Sequence, residues 1–160
     1  MRIIYQRINE HGESVLHVVH AAAKDDIELV LGEMTDDQYK AHVWERSVPA
    51  DAIDPVEIAD DYVLPSREFR NAWVKSDDKV EHDFTKVKEI QLERTRFDRD
   101  VLLSKYDGLQ LRASDLEDAA EESRIKKIKQ QLREATDSLK ELTNGSVEDV
   151  KNAAPDLSKY

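Results

Sequence analysis

The stretch from Glu121 to Leu142 reads EESRIKKIKQQLREATDSLKEL and carries the clearest periodic pattern in the chain. Its apolar residues alternate steps of three and four, the repeat of helices that pack side by side. They are Ile125, Ile128, Leu132, Ala135, Leu139 and Leu142. Asn144-Gly145 is typical of a helix end, and Ser114 with Glu117 has the spacing of a capping box. The sequence therefore predicts one helix from about Ser114 to Leu142.

A second apolar pattern precedes this helix. Four residues fall at heptad spacing, interrupted by Arg94, and they are Val87, Ile90, Phe97 and Val101. They predict a helix from Asp83 to about Lys105, ended by Asp107-Gly108. Two such helices with a short connection form an antiparallel hairpin. Further apolar residues fall on other faces of the first helix, so they need another partner in or outside the chain; they are Leu92, Leu102, Leu103 and Tyr106.

The first half of the chain has a different character. Arg2–Ile8 and Val15–Val19 are β-prone runs separated by turn residues, and they predict a β-hairpin. Short helices are predicted over Ala21–Leu31 and after Thr35, which forms a capping box with Gln38. Val43 to Val48 reads as a strand, and Val56 to Val63 is ambiguous between strand and helix.

These patterns predict an α+β fold in three parts. Residues 1–80 form a small, β-rich mixed domain that begins with the β-hairpin. Residues 81–145 form the long antiparallel helical hairpin, and residues 146–160 form a short helix, capped by Ser146, and a tail. The polar stretch from Lys75 to Asp83 is the predicted boundary between the first two parts.

Composition restricts the function classes. Charged residues make up 37% of the 160 residues, against about 25% in typical soluble domains, which disfavours a compact enzyme. The net charge of −11 argues against binding to nucleic acid or to an anionic membrane. No apolar run is long enough to span a bilayer and Met1 to Tyr5 has no signal-peptide pattern, so we expect a soluble protein that is intracellular when made.

The residues also give no pattern for a catalytic or metal site. The chain has no cysteine and only four glycines, and it contains no phosphate-binding loop or nucleophile elbow. His17 and His20, the best metal candidates, lie three apart in a predicted strand and would point to opposite faces. Paired aspartates lie in polar surroundings that would not raise a carboxyl pKa. We therefore expect no enzyme activity, no metal and no cofactor.

The string Ser66–Trp73 is the most distinctive in the first half. Arg67 and Arg70 beside Trp73 could clamp an anion. The alternative, which we favour, is that Phe69 and Trp73, four residues apart on one helical turn, anchor the small domain while the arginines pair with nearby acidic residues.

Two strings carry a family resemblance. Residues 92–107 read LERTRFDRDVLLSKYD, and residues 130–136 read QQLREAT. Together they resemble the carboxy-terminal module of tailed-bacteriophage tail assembly chaperones, in which a basic helix ends in an Arg-Asp-x-Leu-Leu string and a second helix ends in Gln-x-Leu-Arg-Asp. Residues 1–5 and 64–73 similarly resemble small phage proteins that precede this module. The matching blocks cover about half of the chain.

The resemblance implies a non-enzymatic phage tail or virion assembly protein, either a tail assembly chaperone or a tail-associated structural subunit. We expect it in the host cytoplasm during assembly and, as a subunit, in the virion tail. Its partner would be a phage tail or other virion structural protein, with self-association through the hairpin left open. The residues expected to contact the partner are Leu92, Phe97, Leu102, Leu103 and Tyr106, with Arg67, Phe69, Arg70 and Trp73 as a second choice.

An alternative function from a different class is a host-directed regulator that blocks a basic protein surface. Residues 1–80 carry 9 basic and 17 acidic side chains, a net charge of −8, which motivates this reading. A mimic of nucleic acid would array its carboxylates on one regular face. Here most of them fall in predicted turns and helix caps, so we favour the assembly protein.

Overall fold

The computed structural model describes residues 1–160. The protein is mixed α/β, 54% helical and 18% strand, with strands in the amino-terminal part and helices in the carboxy-terminal part. It divides into two compact units, Met1–Asp83 and Phe84–Tyr160. Residues 146–160, predicted as a separate part, lie within the second unit.

The first unit is built on a three-stranded antiparallel sheet. Its strands are β1 (Arg2–Ile8), β2 (Ser14–His20) and β3 (Ile53–Ile58), with β1 in the centre. The predicted β-hairpin is thus confirmed as β1 and β2. Both faces of β1 are covered, because Ile3 and Tyr5 contribute to one apolar cluster and the intervening Ile4 contributes to another.

Two helices cover one face of this sheet. Helix α1 spans Lys24–Leu31, and helix α2 spans Asp36–Ser47. The capping box is confirmed, since the Thr35 hydroxyl accepts a hydrogen bond from the Gln38 amide and the Gln38 side chain accepts one from the Thr35 amide. The predicted strand Val43–Val48 is wrong: the helix that this box begins continues to Ser47, which brings Val43 into the cluster of Ile3 and Tyr5.

A second hairpin completes the first unit. A 3₁₀ helix over Arg67–Ala72 leads into β4 (Trp73–Ser76), which pairs with β5 (Lys79–His82). The prediction that Phe69 and Trp73 share one helical turn is therefore wrong, because Trp73 already begins a strand. The polar stretch predicted as a domain boundary is this hairpin, whose turn includes Asp77 at a φ of 52°.

The second unit begins with one long helix. Helix α3 spans Phe84–Asp115, so the predicted end at Asp107-Gly108 is wrong. A glycine inside a helix costs about 1 kcal/mol relative to alanine, but Tyr106 and Ala113 on either side of Gly108 are both buried in the same cluster. The packing of Tyr106 and Ala113 therefore outweighs the preference of Gly108 to end the helix.

The predicted second helix is divided. Helix α4 spans Ala119–Glu134 and is capped by Asp118 rather than by the predicted Ser114, because the chain first makes a turn at Leu116–Asp118. A break at Ala135 and Thr136 separates it from α5 (Asp137–Glu141). A single long two-helix hairpin is thus not confirmed, although the predicted apolar residues Ile125, Leu132 and Leu139 are all fully buried.

Helix α6 (Val147–Ala153) and the last residues close the second unit. The predicted cap is confirmed, since Ser146 and Asp149 form a reciprocal capping box. The tail packs within this unit: Leu157 and Tyr160 lie on the cluster around Tyr106, and the Tyr106 hydroxyl donates to the main-chain oxygen of Tyr160 at 2.7 Å.

Thr136 lies at the break between α4 and α5 and supports a stability prediction. It is fully buried, and its Oγ1 has no hydrogen-bond partner. Because valine has the same shape without the unpaired hydroxyl, we expect Thr136→Val to raise the free energy of unfolding by about 1 kcal/mol or more, measured by urea unfolding. The exposed Thr143→Val should change it by less than about 0.5 kcal/mol. A loss of stability in Thr136→Val would contradict the conclusion that the buried Thr136 hydroxyl has no hydrogen-bond partner.

Candidate functional site

The second-choice group of predicted partner residues, which lies in the first unit, is split between core and surface. Phe69 is 1% exposed and Trp73 is 4% exposed, so neither presents its ring to a partner. Phe69 meets the His82 ring edge to face, and the indole Nε1 of Trp73 donates to the Ser66 carbonyl at 3.3 Å. Arg67 and Arg70 are exposed. Both rings are therefore buried: Trp73 packs in the first unit's cluster with Ile4 and Val80, and Phe69 contacts His82.

The predicted residues of α3 mostly face inward as well. Tyr106 is buried, and Leu102 and Leu103 pack against its cluster with Ile125 and Leu132 of α4. Leu92 is also buried. The expectation that these residues lie on uncovered faces of the helix is corrected: Leu102, Leu103 and Tyr106 form the seam on which α4 and the tail pack, and Leu92 is buried elsewhere along α3.

A second row of residues along α3, which we call the outer seam, includes apolar side chains that are exposed. It comprises Ile90, Arg94, Phe97, Val101, Ser104, Gly108 and Leu111, which follow one another at steps of four and three. Phe97 is 72% exposed, Val101 58% and Leu111 66%. Phe97 and Val101 were predicted to face the second helix, and that prediction is wrong. Leu111 was missed because the helix was ended too early, although it continues the same repeat.

An open groove lies at the other end of α3, between this helix and the segment around α5. Its volume is about 580 Å³. Apolar side chains of Phe84, Leu92 and Leu142 contribute to its lining, so one predicted partner residue, Leu92, lies here. Lys88 closes one side by donating from Nζ to the carbonyls of Lys140, at 3.0 Å, and Leu142, at 2.5 Å.

Charged groups around the groove include both signs. Its lining contains three basic and two acidic side chains, which are Lys88, Arg96, Lys140, Glu89 and Glu93. Arg96 is exposed at the rim. The groove therefore combines apolar side chains with charged side chains of both signs.

The carboxyl groups whose pKa departs from its usual value all shift downward. Glu121 and Glu122 have a lowered pKa because their carboxylates bond to Arg124 and Lys126, and Asp149 has a lowered pKa because it accepts from the Ser146 amide. A general acid needs a raised pKa, which is the opposite shift.

In the sheet of the first unit, the His17 ring stacks on the Tyr5 ring at a centroid distance of 5.1 Å.

No group of three or more histidine, aspartate or glutamate side chains is arranged to hold a metal ion. None of the helices combines the length and apolarity needed to cross a membrane. No protein-family model matches the sequence, and neither the curated proteins nor the solved structures contain a significant match to it.

Proposed function

We propose that the protein is a non-enzymatic bacteriophage tail or virion assembly protein, acting as a tail assembly chaperone or as a tail-associated structural subunit. It binds a virion structural protein through an antiparallel hairpin formed by α3 and the helices that return along it. The groove lined by Phe84, Leu92 and Leu142 is the observation that carries this proposal. The resemblance of residues 92–107 and 130–136 to tail assembly chaperones supplies the phage context.

The groove suits a partner segment that carries an apolar side chain next to an acidic side chain. The apolar side chain would cover Leu92 and Leu142, and the acid would meet Arg96 at the rim. Binding would occur in the host cytoplasm, and no nucleic acid, membrane or cofactor takes part.

The test is binding to co-expressed tail proteins of the same phage. We expect Arg96→Glu and Thr85→Trp, which alter exposed positions of the groove, to weaken binding by about tenfold or more. Arg133→Glu makes the same charge change on an exposed part of α4 outside the groove and should leave binding unchanged. Unchanged binding in both groove variants, Arg96→Glu and Thr85→Trp, would remove the groove from the proposal.

Mass spectrometry of purified particles separates the two roles. A structural subunit is expected at a stoichiometric level, whereas a chaperone is expected only in infected cells. A chain that binds no virion protein but captures a basic host protein would contradict the assembly role and favour the acidic regulator.

A further inference from the structure

The loop between α5 and α6 contains the pair Asn144-Gly145, and both residues are exposed. Neither the Asn144 side chain nor the Gly145 amide forms a hydrogen bond within the chain. Asn144 is also the one asparagine, of four in the sequence, that a glycine follows. An amide side chain therefore lies next to a backbone nitrogen that has no Cβ beside it and no bond to hold it.

The fold requires glycine at position 145. Its φ is 148°, a conformation that residues with a side chain rarely adopt. A Cβ here would also lie 2.9 Å from Oδ2 of Asp149. That oxygen is held in place, because it accepts a hydrogen bond from the Ser146 amide at 2.7 Å in the capping box of α6. The cap that begins α6 thus keeps a glycine directly after Asn144.

We propose that Asn144 is a site of spontaneous deamidation, a covalent modification that needs no enzyme. The Gly145 nitrogen attacks the side-chain carbonyl carbon of Asn144, and the new C–N bond closes a five-membered succinimide ring. The Gly145 N–H proton goes to solvent, and the side-chain nitrogen takes up a proton and leaves as ammonia. Water then opens the ring at either carbonyl group. One water is consumed, and the product is aspartate or isoaspartate.

The other asparagines are held by the fold. The Asn9 side-chain oxygen accepts from the amides of His11, at 3.0 Å, and Glu13, at 2.8 Å, and its nitrogen donates to the Glu13 carboxylate. Asn71 lies in the 3₁₀ helix and Asn152 lies in α6, and an alanine follows each of them. We therefore expect these three side chains to react more slowly than Asn144.

Deamidation changes the charge and the length of the loop. Both products add a carboxylate, and isoaspartate adds one carbon atom to the main chain between Leu142 and Ser146. Both ends of this segment are anchored, because the Leu142 carbonyl accepts from Lys88 and Ser146 caps α6. The new charge lies beside Thr143, which lines the groove. The modification therefore occurs at the edge of the candidate binding site.

Peptide mapping of the purified full-length chain by mass spectrometry tests the proposal. The folded chain is incubated in mildly alkaline buffer, which promotes loss of the Gly145 N–H proton. We expect the peptide with Asn144 to gain the mass difference between NH₂ and OH about tenfold faster than the peptides with the other three asparagines. It should also separate into an aspartate and an isoaspartate form.

Asn144→Gln is the matched control. It keeps an amide side chain but would have to close a six-membered ring, so its peptide should stay unmodified over the same period. A second incubation in urea gives the rates without the fold. Because the loop is exposed and unbonded, Asn144 should react in the folded chain within about threefold of its rate in urea. A folded chain that leaves Asn144 unmodified, or converts it no faster than Asn9, would overturn the proposal.

An effect on the groove rests on the proposed function. The lining contains three basic and two acidic side chains, and a carboxylate beside it offsets that excess of positive charge. Asn144→Asp should therefore weaken binding of an acidic virion segment by about threefold. Equal binding by Asn144→Asp and the wild type would overturn this effect. Because the mass measurement needs no phage protein, its failure would leave the proposed function standing, and failure of the groove variants would leave the deamidation site standing.

Discussion

Replacing Phe69 with alanine is expected to lower the free energy of unfolding of the first unit by about 3–5 kcal/mol. The ring is almost completely buried and meets the His82 ring at a centroid distance of 6.4 Å. Removing the ring loses its apolar burial and leaves a cavity. The short 3₁₀ helix cannot close this cavity without moving Ala72, whose carbonyl accepts a hydrogen bond from the Asp83 amide. A loss of this size is a large fraction of a small domain's stability.

Urea unfolding followed by tryptophan fluorescence measures this effect selectively, because Trp44 and Trp73 both lie in the first unit. Arg67→Ala is the control, since it shortens an exposed side chain in the same 3₁₀ helix and should change stability by less than about 0.5 kcal/mol. A Phe69→Ala variant as stable as the control would mean that the ring is available to a partner after all.

Local chemistry allowed several elements of the fold to be predicted from the sequence. Thr35 and Ser146 each define a helix start through bonds to residues three positions away, and the β1–β2 hairpin follows from β-prone runs around a turn. In these cases the determining contacts lie within a few residues, so the pattern itself contains them.

Elements set by distant contacts were not predictable in the same way. Gly108 is a strong local stop signal, yet α3 continues past it because Tyr106 and Ala113 pack on α4. Val43 to Val48 is β-prone by composition but lies largely in a helix, because Val43 fills the space above Ile3 and Tyr5. Propensity is worth tenths of a kilocalorie per residue, and burial outweighs it.

The candidate sites illustrate a further limit. Both faces of α3 carry apolar residues at heptad-compatible spacing, and a sequence alone does not say which face meets α4. The inner face meets α4 because Leu102, Tyr106 and Ala113 on that face pack with Ile125 and Leu132. The face with Phe97 and Val101, chosen from the pattern, is left outside. The groove was beyond prediction because it depends on the break after Glu134, which brings Leu142 beside Leu92.

Leu132→Ala is expected to destabilise the second unit by about 2–5 kcal/mol. Leu132 is fully buried in the cluster that joins α3 to α4, where it packs with Tyr106, Ala113 and Ile125. The substitution removes three carbon atoms at the centre of this contact. Most of the stability of a helix in a protein comes from the packing of its apolar face, so a weaker seam also lowers the helix content of α4.

Leu116→Ala makes the same chemical change at an exposed position in the same unit and should alter stability by less than about 0.5 kcal/mol. Both variants are compared by urea unfolding at one fixed protein concentration, because self-association would shift the apparent stability. Circular dichroism at 222 nm is the suitable signal, since α3 alone contributes 32 helical residues. Equal losses in the two variants would indicate that α4 does not pack on α3 through its Leu132 face, and the inner and outer faces of α3 would have to be exchanged.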